Sequence, residues 1–218
     1  MDTSTHLEDW TKDPVKHIKI NNNNNIINTS WSFYTDNLPE YAYNSNAFST
    51  EECKNIIDIG NQTILQDATI AGEENLNLNI RNSKVGWIYP NSSTNWIFRR
   101  ITDIVLDLNK TYYNFDLFGL VEGLQFTKYL APDGKYDKHV DCGTRSTIRK
   151  LSFTVQLSSP KDYIGGDLCL YNSAKPCKIE KSQGLAVVFP SYTLHEVKPV
   201  TKGTRYSLVC WITGPNFR

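Results

Sequence analysis

The chain has 218 residues, and its 23 Lys and Arg balance 23 Asp and Glu to a formal net charge of zero. An apolar share of 39%, with 12% of the chain aromatic, suffices for one domain core, while the missing cationic excess argues against a general nucleic-acid binder. No apolar run is long enough to span a bilayer. The five cysteines (Cys53, Cys142, Cys169, Cys177, Cys210) are odd in number and lack a C-x-x-C, so neither a disulfide framework nor a zinc ribbon is indicated. The expected compartment is the reducing cytoplasm, and no apolar signal core follows Met1.

Residues 1–30 are polar and contain the run Asn21 to Asn25. Such a stretch buries too little surface to offset its ordering entropy, and it reads as a mobile arm or an extended first strand ahead of one domain over 31–218. Ser49-Thr-Glu-Glu52 has the form of a capping box. With Ile56, Ile57 and Ile64 at helical spacing, it predicts a helix over 50–65. Residues 72–84 are polar and read as a loop, and 86–90 as a short strand closed by Pro90. The stripe Ile97, Ile101, Ile104, Val105, Leu108, Tyr112 predicts a core-packed helix over 94–112.

From Gly123 onward the pattern is β. Strands are expected at 124–130, 151–157, 167–171, 185–189 and 205–212, separated by turn signals at 132–134, 165–166, 182–184 and 202–203. The fold class this implies is mainly β, a double-stranded β-helix (jelly roll) with two N-terminal helices packed on one sheet.

Only four histidines are present, and His6 and His17 lie in the N-terminal arm. His139-Val-Asp141 places an imidazole and a carboxylate two residues apart, on one side of an extended segment. His195 is the histidine left to complete a set. Two imidazoles and one carboxylate on one face of a metal leave the other face open, which is the ligand set of non-haem Fe(II) oxygenases. Arg205 follows ten residues later on an apolar strand, where an unpaired charge is costly, so it calls for an anion. Trp211 shares its strand parity and offers an aromatic wall. Tyr129, ten residues before His139, can donate its hydroxyl to the same anion. Cys142 reads as a small core residue, Asp133, Asp137 and Asp162 as turn formers, and Gly165-Gly166 as a tight hairpin or bulge.

The segments Gln125-Phe-Thr-Lys-Tyr129, Tyr136-Asp-Lys-His139-Val-Asp141, Leu151-Ser-Phe-Thr-Val-Gln-Leu-Ser158, Tyr163-Ile-Gly-Gly-Asp-Leu168, Val188-Phe-Pro-Ser191 and His195-Glu-Val-Lys-Pro-Val-Thr-Lys-Gly-Thr-Arg205 resemble the Fe(II)- and 2-oxoglutarate-dependent dioxygenases of the prolyl 4-hydroxylase type, including the PKHD-type hydroxylases. The likeness extends over roughly residues 45–215. It implies His139, Asp141 and His195 as iron ligands, with Arg205 and Tyr129 on the distal carboxylate of 2-oxoglutarate. Thr154 and Gln156 would lie on the strand lining that cosubstrate, and Trp211 near the substrate side. Collagen-type members often carry Lys where this chain has Arg205. The implied cofactors are Fe(II), 2-oxoglutarate and O2, with ascorbate as an optional reductant.

The activity implied is hydroxylation of an amino-acid side chain, a prolyl residue in a protein or peptide first. The alternatives are the same chemistry on a free amino acid or small metabolite, or a non-catalytic jelly-roll binding module. Residues 72–84 and 131–138 are expected to close over a peptide. No membrane or general nucleic-acid partner is expected, and the sequence leaves the oligomeric state open.

Overall fold

The computed structural model describes residues 38–68, 77–143, 148–173 and 175–216, and the backbone of 18–20 and 26–28. Two compact units divide at Leu38. Of the first, the description covers an antiparallel pair, β1 (Ile18–Ile20) with β2 (Ile26–Asn28). The rest of the expected arm, His6 and His17 included, lies outside the described residues.

The second unit, from Pro39 onward, is the jelly roll. One sheet, here the major sheet, runs β3 (Ala42–Asn44), β14 (Ala186–Pro190), β10 (Arg149–Gln156), β15 (Leu194–Thr213), β8 (Leu124–Leu130), β6 (Lys84–Ile88), β4 (Gln66–Asp67), with β7 (Gly119–Leu120) on the end of β15. The facing minor sheet pairs β5 (Arg81–Asn82), β9 (Gly134–His139), β15, β12 (Leu168–Tyr171) and β13 (Cys177–Lys178), with β11 (Tyr163–Gly165) also on β15. Two helices, α1 (Thr50–Asn61) and α2 (Asn95–Leu108), share a core with the outward side chains of the major sheet: Cys53, Ile56, Ile97 and Ile101 join Phe126, Phe153, Leu208 and Cys210. A second cluster, including Leu168, Leu170, Val187, Phe189 and Val200, fills part of the space between the sheets.

The capping box is present. Ser49 Oγ accepts from the Glu52 N–H at 3.2 Å, and Glu52 Oε2 accepts from the Ser49 N–H at 2.8 Å. Three expectations need correction. The first helix ends at Asn61, so Ile64 is outside it and 83% exposed. The second passes into a π-turn over Asn109–Tyr113, whose extra residue rotates Tyr112 to solvent and brings Tyr113 into the core, its hydroxyl donating to the Val188 carbonyl at 3.0 Å. The expected closing segments are also partly strand. Residues 81–82 and 84 belong to β5 and β6, and 134–138 to β9, while 72–76 lie outside the described residues.

The last expected strand, 205–212, is the second half of a longer one. β15 holds 20 residues and passes through the expected turn at 202–203 without breaking. Up to Gly203 it pairs in the minor sheet, and from Thr204 in the major sheet. The change of sheet coincides with Gly203 at φ +77°, where a Cβ would strike the Asp162 carbonyl. Gly165 and Gly166 also take positive φ, beside a register shift that marks the expected bulge.

Candidate metal and anion site

Register on the inner face of the major sheet stacks the site in rows. Ser152 pairs with Trp211 and Phe189, Thr154 with Val209 and Val187, Gln156 with Ser207, and Arg205 with Tyr129. Side chains at even offsets share one face, so β10 and β15 line a single cavity from top to bottom. That cavity measures about 330 Å³ and touches His139, Asp141 and His195 near one end and Tyr129 and Arg205 near the other.

His139 ends β9 directly opposite His195 on β15. Asp141 lies beyond the strand, held there because its N–H and that of Cys142 both donate to the Ser191 carbonyl at 2.9 Å. His139 Nε2 stands 3.8 Å from Asp141 Oδ1, and His195 Nε2 stands 3.5 Å from Asp141 Oδ2. The three donor atoms lie within 4.8 Å of one another.

Both imidazoles are oriented by the backbone. Nδ1 of His139 meets the Asp137 carbonyl at 2.8 Å, and Nδ1 of His195 meets the Thr193 carbonyl at 2.9 Å. A carbonyl only accepts, so each Nδ1 carries a proton, and each Nε2 is the nitrogen turned toward the carboxylate. Burial and the neighbouring His195 push the His139 pKa down to about 3, keeping it neutral and fit to ligate. Burial opposes ionisation of Asp141, but His195, His139 and the Ser152 hydroxyl, which donates to Oδ2 at 2.6 Å, outweigh it and hold its pKa below the usual carboxylate value. Two imidazole nitrogens and a carboxylate oxygen suit a divalent ion of intermediate softness such as Fe(II).

At the opposite end Arg205 is 1% exposed. Its Nη1 donates to Ser207 Oγ at 3.3 Å and its Nη2 to Gln156 Oε1 at 3.0 Å, while the guanidinium carbon lies 5.2 Å from the Tyr129 ring centre. Among the described residues no carboxylate reaches it, and its Nε has no hydrogen-bond partner. A buried cation with donors to spare is a receptor for an anion. Tyr163, whose hydroxyl is likewise buried without a partner, stands beside it; burial raises the Tyr163 pKa and the guanidinium opposes that rise.

The sequence-predicted residues therefore converge, with one difference of placement. Thr154 and Trp211 line the cavity, whereas Gln156 is bonded to Arg205 behind the wall. Several neighbours were not legible in the sequence. Tyr136 stacks on the His139 ring at 3.5 Å and 17°, with the Arg81 guanidinium 4.4 Å from its other face. Arg149 lies 3.7 Å over Trp211 and forms a fork on Glu122 at 2.8 and 2.6 Å. Behind His195, the Glu196 carboxylate is clamped by the Tyr171 hydroxyl and by Lys198 Nζ at 2.6 Å. Of these, Tyr136, Glu196 and Lys198 left a trace, since they belong to the segments around His139 and His195.

Residues 124–213, which hold His139, Asp141, His195, Tyr129 and Arg205, match the model of the 2OG-Fe(II) oxygenase superfamily. Over those residues the chain is similar to that superfamily. A PKHD-type hydroxylase of Prochlorococcus marinus strain NATL2A is 37% identical over 117 residues, 52% of each chain. Another, from strain MIT 9515, is 34% identical over 141 residues, 64% of this chain and 59% of that one. The chain thus spans about half the length of the curated relatives it matches. Among solved structures, a Pseudomonas putida prolyl-4-hydroxylase superposes with a TM-score of 0.61 at 20% identity over 81% of this chain and 94% of that one. The prolyl hydroxylase of Trichoplax adhaerens, solved with a hypoxia inducible factor peptide fragment, gives 0.66 at 21% over 80% and 84%. At such identities the two structures speak to the fold alone, a jelly-roll core.

Proposed function

We propose that this oxygenase domain is an Fe(II)- and 2-oxoglutarate-dependent dioxygenase that hydroxylates a prolyl residue in a protein or peptide. The observation that carries the reading is the pairing, across one cavity, of the His139–Asp141–His195 donor set with a buried Arg205 that has no acidic partner among the described residues. His139, Asp141 and His195 would hold the iron. Arg205 and Tyr129 would take the far carboxylate of 2-oxoglutarate, with Gln156 and Ser207 fixing the guanidinium and Thr154 lining the way between. When bound, Fe(II), 2-oxoglutarate and O2 together place one oxygen atom in a substrate C–H bond and the other in succinate, with release of CO2.

The protein's own part is orientation and exclusion. Two anchor points at opposite ends of the cavity fix a linear diacid before it reacts. Trp211, held between Arg149 and Trp87, walls the substrate side. The prolyl target is supported by the resemblance to hydroxylases named for it and by the hydroxylase structures of the same fold. Ascorbate would serve to return spent iron to Fe(II). None of the five cysteines is disulfide-bonded and no described helix is long and apolar enough to cross a membrane, both in keeping with a cytoplasmic site of action.

The test is anaerobic addition of Fe(II) and 2-oxoglutarate, followed by oxygen and a set of proline-containing peptides. A visible charge-transfer band that requires His195 and Arg205, then succinate release coupled to peptide mass gain of one oxygen atom, is the expected result. A band without any peptide hydroxylation would remove the prolyl substrate and leave the iron chemistry. No band would remove both.

A further inference from the structure

His139 stands nearer the border of its sheet than His195 does. β15, which carries His195, lies inside the minor sheet, whereas β9 has only the two residues of β5 on its outer side. Spacing on β9 poses a second problem. Tyr136 and His139 are three residues apart, and an odd offset on a regular strand turns side chains to opposite faces. Their partners on β15, Val197 and His195, are two apart, so β9 carries one residue more than the strand it pairs with. Such a bulge re-aims the chain and returns Tyr136 to the face that His139 occupies. Both line the cavity, as do Val197 and His195.

The bulge completes a column of groups that ends on His139. The Tyr136 ring lies nearly parallel to the imidazole, with 3.5 Å between centres and 17° between planes. Directly across from Tyr136 in register, the Arg81 guanidinium covers its ring at 4.4 Å. Arg81 is buried, and its Nε donates to Ser83 Oγ at 3.3 Å. The backbone ties the same pieces together. The Asp137 N–H donates to the Ile80 carbonyl at 2.8 Å, and the Asp137 carbonyl accepts from His139 Nδ1 at 2.8 Å. The outer torsion of histidine has a broad well, so one hydrogen bond sets the plane of the ring only loosely. A stacked neighbour supplies the second constraint. His195 receives its own from Phe189, whose ring meets it edge-on at 4.9 Å.

Resting on the reading of His139, Asp141 and His195 as metal ligands, we propose that Tyr136 and Arg81 are positioning residues of the metal centre. Tyr136 sets the plane of the His139 ring through its face, and Arg81 holds Tyr136 from β5. Neither supplies a donor atom. The contact is made by the aromatic ring, so the Tyr136 hydroxyl is dispensable for it. The donor set is arranged before an ion arrives, and β5, two residues without a ligand of its own, belongs to the metal site.

The experiment uses the full chain, freed of metal by a chelator, with anaerobic Fe(II) alone as the probe in a calorimetric titration. Tyr136→Leu removes the stacked face and should weaken Fe(II) binding ~10- to 100-fold, the usual cost of losing an outer partner of a ligating histidine. Tyr136→Phe keeps the face and should bind within about threefold of wild type. Arg81→Met should weaken binding ~10-fold, with Arg81→Lys, which keeps the cation, between it and wild type. Ile97→Ala opens the α2 core on the other side of the major sheet. It should lower the urea-unfolding midpoint at least as much as Tyr136→Leu does and leave Fe(II) affinity unchanged. A further readout needs no metal. The His139 ring protons lie over the Tyr136 ring and are shielded by it, and only four histidines contribute such NMR signals. The signals should move downfield in Tyr136→Leu and stay in place in Tyr136→Phe. Fe(II) binding by Tyr136→Leu within about threefold of wild type overturns the proposal and leaves the ligand set standing. An equal loss in Tyr136→Phe also overturns it, assigning the effect to the hydroxyl. A loss of affinity in Ile97→Ala as large as that in Tyr136→Leu overturns it in favour of stability alone. A wild-type chain that binds no Fe(II) overturns the ligand set and the proposal together.

Discussion

Replacing Arg205 by Gln separates the two roles a buried guanidinium can have, because structure and ligand binding should respond with different signs. In the ligand-free protein the substitution removes bonds to Ser207 Oγ and Gln156 Oε1, each worth about 1 kcal/mol net, and a glutamine amide can restore one of them. It also removes a cation that is 1% exposed and has no counter-ion among the described residues, an arrangement that costs several kcal/mol. These effects nearly cancel, so the urea-unfolding free energy of the ligand-free protein should move by no more than ~1 kcal/mol, or rise. Binding of 2-oxoglutarate should respond quite differently. Two charge-assisted bonds to a carboxylate are worth about 1.5–3 kcal/mol each, which is a loss of roughly 100- to 10,000-fold in affinity. Arg205→Lys keeps the charge and loses the fork, and should fall between wild type and Gln. Anaerobic titration of the Fe(II) protein, read by its visible charge-transfer band, measures the affinity. An Arg205→Gln protein that binds 2-oxoglutarate within threefold of wild type, or one that loses as much stability as a truncated core side chain, would refute the reasoning.

Ser152→Ala removes the hydroxyl that donates to Asp141 Oδ2; Fe(II) affinity should fall by ~10- to 100-fold with the circular dichroism spectrum unchanged. Gly166→Ala places a Cβ at φ +63°, 2.9 Å from Val200 Cγ2 and 3.0 Å from Arg205 Cδ; it should cost about 1–2 kcal/mol in urea unfolding for the backbone alone, and weaken 2-oxoglutarate binding by displacing Arg205. Burial pushes the Cys53 thiol up to about 11 and that of Cys210 further. Both should resist thiol reagents near pH 8 until the protein unfolds, as mass mapping of labelled cysteines would show. The same two groups hold their protons in the folded chain beyond the pH at which an unfolded thiol, near 9, gives them up. Stability should therefore fall as pH rises from about 9 to 11, by up to ~1.4 kcal/mol per unit for each thiol.

How much of this was legible in the sequence follows from where each residue's partners lie. The stripe of α2 announced itself because its five apolar positions face one core, and the error at Tyr112 arose because a π-turn adds a residue that periodicity does not encode. β8 was read with its observed ends because its side chains on both faces are buried. β9 was missed because Gly-Lys-Tyr-Asp-Lys-His faces the site and solvent and thus lacks apolar alternation. The clustering of His139, Asp141 and His195 was legible because histidine is scarce in this chain and the His139/Asp141 spacing is local. Arg205 stood out as a charge on an apolar strand. Arg81, Ser152 and the Arg149–Glu122 fork are different, because each acquires its place only through a cross-strand or cross-sheet neighbour. Arg81 meets Tyr136 by the register of β5 on β9, and Ser152 meets Asp141 by the register of β10 beneath the loop held on Ser191.

The ten-residue interval from His195 to Arg205 acquires a physical meaning from β15. A straight strand would carry its ends about 33 Å apart over that interval, far too wide for one small diacid. β15 instead shifts register twice against β9, between His195 and Val197 and again before Val200, and then changes sheets at Gly203. Bulges and a left-handed glycine bend a strand where unbroken pleating would keep it straight. His195 and Arg205 thereby line one cavity, where the guanidinium is bonded to Ser207 and Gln156. Spacing in the sequence thus sets parity, but the bulges and Gly203 set distance. A chain with the same His/Asp/His set and an arginine at the same offset, yet without a residue tolerant of positive φ at 203, would hold the proposed metal donors and the proposed anion receptor too far apart to serve one molecule.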